Sequence, residues 1–193
     1  QRSCSIKIKQ VYVGMPSSLL LSQRISAAIS VIGHEINYKD LNKLFLDVLS
    51  NYQQQPLEVI HSFACNYILD GNHGIENPLG MYGDNLACEM HVLATPSNLL
   101  LNLSNCVADG QVEIKNYISS AYAAGLACLT ADEIAMGVKL IDMGAHHTSI
   151  SLFEGGQMIF SDAIALGGEN ITHDIAKGLC TTFLSAERIK NLF

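Results

Sequence analysis

Positive charge is scarce in this sequence: 11 Lys and Arg stand against 18 Asp and Glu in 193 residues, a formal net charge of −7. A chain of that balance lacks the electrostatic footprint needed for a phosphate backbone or an anionic lipid surface, so nucleic acid is not an expected partner. Charge of either sign is thin, at 15% against 49% apolar residues, which argues against disorder and supplies material for a sizeable core. Long apolar runs are missing as well. Stretches such as Ser17 to Leu21 and Ala121 to Leu129 break off well before the roughly 18–20 residues that cross a bilayer. The opening Gln1-Arg2-Ser3-Cys4-Ser5 has neither an initiator Met nor an apolar segment after a basic start, so no signal peptide is expected and the start reads as the cut end of a longer chain.

Paired cysteine motifs are absent too. Cys4, Cys65, Cys88, Cys106, Cys128 and Cys180 form no C-x-x-C or C-x-C, and most lie in apolar runs, so buried reduced thiols in a cytoplasmic protein are expected. His61, His73, His91, His146 and His147 lack the spacing of a zinc site, and neither a G-x-S-x-G elbow nor a cysteine-nucleophile signature occurs. There is no internal repeat and no charged block.

What is present is alternating periodicity. Lys9 to Met15 and Leu19 to Ile32 read as strands closed by a turn at Gly33, and Leu41, Leu44, Phe45, Val48 and Leu49 form the stripe of an amphipathic helix starting near Tyr38. Leu57 to Asp70 and Asn85 to Ala94 read as strands around a turn-rich connection, and Ser97 is the expected cap of a second helix carrying Leu99, Leu103, Cys106 and Val107, closed by Gly110. This first part is an α+β unit. After a small-residue helix or crossover at Ser119 to Leu129, the runs Val138 to Met143, Thr148 to Phe153 and Met158 to Ile164 form a hairpin meander. A helix with Ile171, Ile175 and Leu179 on one face follows, and then a last helix, capped by Ser185, with Ile189 and Leu192.

Chemistry is most readable at Leu140-Ile141-Asp142-Met143-Gly144-Ala145-His146-His147-Thr148. A strand ending in Asp, a small-residue turn and a strand opening with hydroxyls can offer backbone N–H groups and a hydroxyl to a phosphate, with the carboxylate beside it for water or Mg²⁺. An ordinary hairpin with a polar tip has the same pattern, so the residues alone leave both readings open.

Several stretches in order, Val59-Ile60-His61-Ser62, Tyr67-Ile68-Leu69-Asp70-Gly71, Gly74 to Gly83, Leu140 to Phe153, Ile164-Ala165-Leu166-Gly167-Gly168, Asp174 to Leu179 and Ala186-Glu187-Arg188-Ile189-Lys190, make the chain resemble the FtsA family of bacterial actin-like cell-division proteins. The resemblance implies an interior piece: 1–7 a residual segment of subdomain 1A, 8–95 an SHS2-like subdomain 1C, 96–137 the remainder of 1A, and 138–193 the start of a subdomain 2A with a ribonuclease H-like meander. The fold class it implies is α+β/α/β, part of an actin-like ATPase fold. It also implies that the turn at Asp142, Gly144 and Thr148 is the family's second phosphate loop. Gly167 and Gly168 correspond to the following glycine pair, and Glu187 and Lys190 to an E-x-x-K that reaches ribose and adenine in related ATPases. Ala145, His146, His147 and Ser149 depart from the family's glycine-rich turn, so the histidines either contact phosphate or make the turn structural.

No catalytic residue and no metal ligand is assigned, and no cofactor is expected for the chain itself, Mg-ATP remaining an option for the full-length parent. By resemblance the complete protein scaffolds the division ring. It would link FtsZ filaments to the inner face of the membrane through a C-terminal helix outside this chain, recruit later division proteins, and self-associate into actin-like filaments through exposed strand edges. The expected location is cytoplasmic, peripheral at the inner membrane face of the division site. The alternative from another class is a nucleotide-binding actin-like ATPase with an active phosphate cleft or, more distantly, a sugar or acetate kinase.

Overall fold

The computed structural model describes residues 8–50 and 56–192; the expected 1A remnant at 1–7 and Cys4 lie outside the described residues. The described residues form three sheets. β1 (Gln10–Met15) pairs in parallel with β6 (Glu113–Ser119). An antiparallel sheet in the order β2-β5-β3-β4 joins β2 (Leu21–Ser30), β5 (Asn85–Pro96), β3 (Leu57–Leu69) and β4 (Asn72–Ile75). The third is an antiparallel meander of β7 (Val138–Met143), β8 (Thr148–Glu154) and β9 (Gln157–Ile164). The helices are α1 (Tyr38–Ser50), α2 (Ser97–Asp109), α3 (Ser120–Cys128), α4 (Ala131–Met136), α5 (Gly168–Gly178) and α6 (Phe183–Lys190), and a 3₁₀ turn at Ser17–Leu19 leads from β1 into β2.

The period of β5 explains how the units meet. Side chains alternate across a strand, and Leu86, Cys88, Met90, Val92 and Ala94 point into one core with Leu41, Leu44 and Val48 of α1. His91, Leu93 and Thr95, on the opposite phase, are buried as well, and Leu93 joins Phe63, Ala121, Phe153 and Met158 in a second core. The four-stranded sheet is therefore covered on both faces, by its own helix on one side and by α3, β8 and β9 on the other.

Most expected elements form where the pattern puts them, with informative exceptions. The Gln10–Met15 strand, grouped by sequence with the unit at 8–95, pairs instead with β6, a strand that the sequence reading missed along with β4 and α4. A parallel partner so far along the chain leaves no local signature. Pro96, extended at φ −58°, takes the cap position expected for Ser97, whose hydroxyl donates instead to Glu58 at 3.5 Å. Thr182, not Ser185, caps α6 and accepts the Ser185 N–H at 3.2 Å. The Ile171 and Leu179 stripe of α5 is exposed and Thr172 is the buried residue; on α6 it is Ala186, while Leu192 is exposed.

Among the described cysteines only Cys88 is buried and Cys65 half-buried; Cys106, Cys128 and Cys180 are exposed, because α2 buries no residue, Cys128 ends α3 and Cys180 lies in the turn between α5 and α6. Burial pushes the Cys88 thiol up to about 12, so it stays a thiol. Among the described residues no helix is long and apolar enough to cross a membrane.

Candidate functional site

The Asp142 turn closes the β7–β8 hairpin, with the Gly144 N–H donating to the His147 carbonyl at 2.9 Å. Its far side is held by the start of α5: Gly168 N–H donates to the Gly144 carbonyl at 3.0 Å and Glu169 N–H to the Ala145 carbonyl at 2.8 Å. These are amides that a helix N-terminus leaves without an intrahelical acceptor, and the turn supplies it. In a trans peptide the C=O and the next N–H point in opposite directions, so the amides of Ala145 and His146 face away from α5. A cavity of about 270 Å³ lies against them, lined by Asp142, Gly144, His147 and Ser149 on one wall and by Pro16, Ser17, Ser18 and Ser120 on the other.

Gly167 is required by this contact. A Cβ there would sit 2.4 Å from the Ala145 carbonyl oxygen, a backbone atom unable to move aside. The Asn170 side chain accepts the Gly167 N–H at 2.8 Å and completes the helix start. Gly167→Ala is expected to lift α5 off the turn and to cost about 1–3 kcal/mol in a denaturant titration, whereas Gly168→Ala, with no atom closer than 3.6 Å to its added Cβ, is expected to be nearly neutral. Equal losses would refute the close-approach argument.

The remaining expected residues gather on the other side of the turn. Thr148 donates its hydroxyl to the Leu166 carbonyl at 2.7 Å, spending it on the β9–α5 connection. Lys190 Nζ lies 2.7 Å from a Glu187 carboxylate oxygen, and donates to the Gly168 carbonyl at 3.1 Å and to Thr172 Oγ1 at 2.9 Å. Thr172, fully buried, donates to the same Glu187 carboxylate at 2.5 Å. The Lys190 and Thr172 hydrogen bonds hold the Glu187 carboxyl below its usual range. His146 pairs through Nε2 with Glu169 at 2.8 Å, which ties the turn to α5 a third time.

The turn thus divides the expected site. Asp142 borders the smaller cavity, Gly144 borders both, and Thr148, Gly167, Gly168 and Lys190 border a second space of about 500 Å³ with Asn170 and Asp174. Glu187 lines neither and serves Lys190. Sequence reasoning missed the Pro16–Ser18 and Ser120 wall; the only local signal was Ser119, which caps α3 by accepting the Tyr122 N–H. Among the described residues no group of three or more His, Cys, Asp or Glu side chains is placed to hold a metal ion.

Two family models match, "SHS2 domain inserted in FTSA" over residues 18–94 and "Cell division protein FtsA" over 139–193. The chain is 37% identical over 190 residues to the cell division protein FtsA of Agrobacterium fabrum, covering 98% of this chain and 43% of that relative. It is 32% identical over 194 residues to the FtsA of Bacillus subtilis, covering 98% and 44%. The chain therefore spans less than half the length of these relatives. A chain of the solved PilM–PilN type IV pilus biogenesis complex superposes with a TM-score of 0.63 at 17% identity, over 93% of this chain and 50% of that one, a likeness of fold alone.

Proposed function

Since the chain belongs to the FtsA family, with an SHS2 insertion followed by part of an actin-like fold, we propose that it works as a scaffolding part of a cell-division protein rather than as an enzyme. The complete protein would link FtsZ filaments to the inner membrane face at the division site and recruit later division proteins, with the inserted sheet as a contact surface. The ordered combination of the two family matches in one chain carries this reading. The open edges suit the role: β2 ends the four-stranded sheet, and β7, with Met143 75% exposed, ends the meander. Unpaired strand edges invite pairing with another chain, including a second copy.

The residues present fit Mg-ATP only in part. Asp142 and the amides of Ala145 and His146 border one cavity, which suits a single phosphate. Glu187 and Lys190, on the opposite side of the turn, are engaged with each other and with α5. If ATP bound in the complete protein, Mg²⁺ and the phosphates would supply the charge that Asp142 and the turn amides are placed to meet. That partial cradle is what favours the second reading, a nucleotide-binding ATPase.

Thermal unfolding with increasing Mg-ATP separates the two. A ligand of the folded state at about 100 times its Kd adds about 2.7 kcal/mol, worth several degrees for a chain of this size. No saturable rise is expected; a saturable one would overturn the scaffolding reading of this chain and restore the ATPase.

A further inference from the structure

The four-stranded sheet meets the other two units along a seam containing two histidines that the site leaves unused. On β3, His61 Nε2 receives the backbone N–H of Ser119 at 3.1 Å, at the junction of β6 and α3. An N–H needs a lone pair, so this nitrogen carries no proton and the ring is neutral. On β5, His91 is 1% exposed and both its nitrogens are engaged. Nδ1 lies 3.0 Å from the Met158 carbonyl of β9, which can only accept, so the proton sits on Nδ1. Nε2 therefore accepts from the Ser22 hydroxyl at 2.9 Å, and Ser22 Oγ in turn accepts the Ser161 N–H at 3.3 Å. The Ser161 hydroxyl continues to Ser17 at 3.1 Å, on the wall of the smaller cavity. The Phe63 ring lies between the two imidazoles, with centroids 5.6 Å from His61 and 5.9 Å from His91.

We infer that His61 and His91 form a proton-sensitive latch, holding the inserted sheet against the β6–α3 junction and the meander while both rings are neutral and releasing it when they are protonated. A proton on His61 Nε2 would set N–H against N–H and strip buried Ser119 of its acceptor. A proton on His91 Nε2 would occupy the second lone pair of Ser22 Oγ, the first being taken by the Ser161 N–H, and would leave the Ser22 hydroxyl proton without the acceptor it has in the neutral state. The titratable or charged groups facing the rings are Arg24, opposite His91 on β2, Cys65, whose thiol lies by the His91 backbone, and Tyr122, 5.1 Å from the His61 ring on α3. None of the three would hold an imidazolium. Burial is the leading cause that places both rings below the ordinary 6.5. The docked state therefore binds fewer protons than a released one: docking is at full strength above about pH 6.5 and weakens as pH falls below it.

Amide hydrogen exchange on the intact chain, corrected for intrinsic rates, tests this between about pH 7.5 and about pH 5. The Ser119 and Ser161 amides are expected to lose protection on the order of tenfold relative to the amides of α1, which report the sheet's own folding. His61→Gln with His91→Asn keeps an acceptor for Ser119 and a donor for Met158 without a titrating ring, and should abolish that pH dependence. Reporter amides that track α1 throughout, or the same pH profile in the doubly substituted chain, would overturn the latch. Should that chain not fold, imidazole Cε1–H titration of the native one decides: midpoints below 6.5, with both reporters released together, support the latch, and midpoints at or above it refute it.

Discussion

Replacing Phe153 by Ala is expected to cost about 3–5 kcal/mol, read as a lower denaturant midpoint with an unchanged slope. Phe153 is 2% exposed and stands where β8, α3 and the four-stranded sheet meet, in a core with Phe63, Leu93, Ala121 and Met158. Its ring lies against Gly125: a Cβ on that residue would be 2.2 Å from Cζ and 2.9 Å from both Cε atoms. Gly125 sits inside α3, where helix propensity alone would make alanine about 1 kcal/mol better than glycine. The collision decides the sign, so Gly125→Ala is expected to destabilise the native chain by about 1–3 kcal/mol. With Phe153→Ala already in place the same change should turn neutral or stabilising, because the obstructing ring is gone and only the propensity remains. Additive effects of the two substitutions would show that ring and glycine do not share one space.

Leu44→Ala is expected to cost about 2–5 kcal/mol, by loss of transfer free energy and by the cavity left behind. Leu44 is fully buried between α1 and the even-numbered residues of β5. This core lies on the opposite face of the sheet from Phe153, so the two losses should be seen in different places. In hydrogen exchange, Leu44→Ala is expected to speed α1 and β5 more than β7 to β9, and Phe153→Ala to affect the meander and α3 at least as strongly as α1. Uniform acceleration by both substitutions would mean that the cores open as one.

The partners of Phe153 and Leu44 differ in how far they could be read in advance. The stripe Leu41, Leu44 and Val48 was legible because its period of 3–4 is a property of the helix itself, and the meander was legible because its turns join neighbours. The collision at Gly125 was not, since Phe153 reaches it from a different unit. At the candidate site, Asp142 and Gly144 border the cavity on the expected hairpin, while Pro16, Ser17, Ser18 and Ser120 reach it from sequence more than 20 residues away. Lys190 and Glu187 show the converse: one helical turn apart on α6, they pair with each other, but that they clasp Thr172 and the start of α5 is visible only in the fold.

Family, most of the element types and the position of the β7–β8 turn were determined by the sequence by itself, because local periodicity, turn chemistry and ordered motifs are written in contiguous residues. The tertiary structure alone decided that β1 belongs with β6, that the turn's carbonyls hold α5 while its amides face a cavity, and that His61 and His91 sit neutral in a seam between units. Each of these depends on which distant backbone group stands opposite, and a hydrogen-bonding residue carries no mark of its partner until the chain has closed around it.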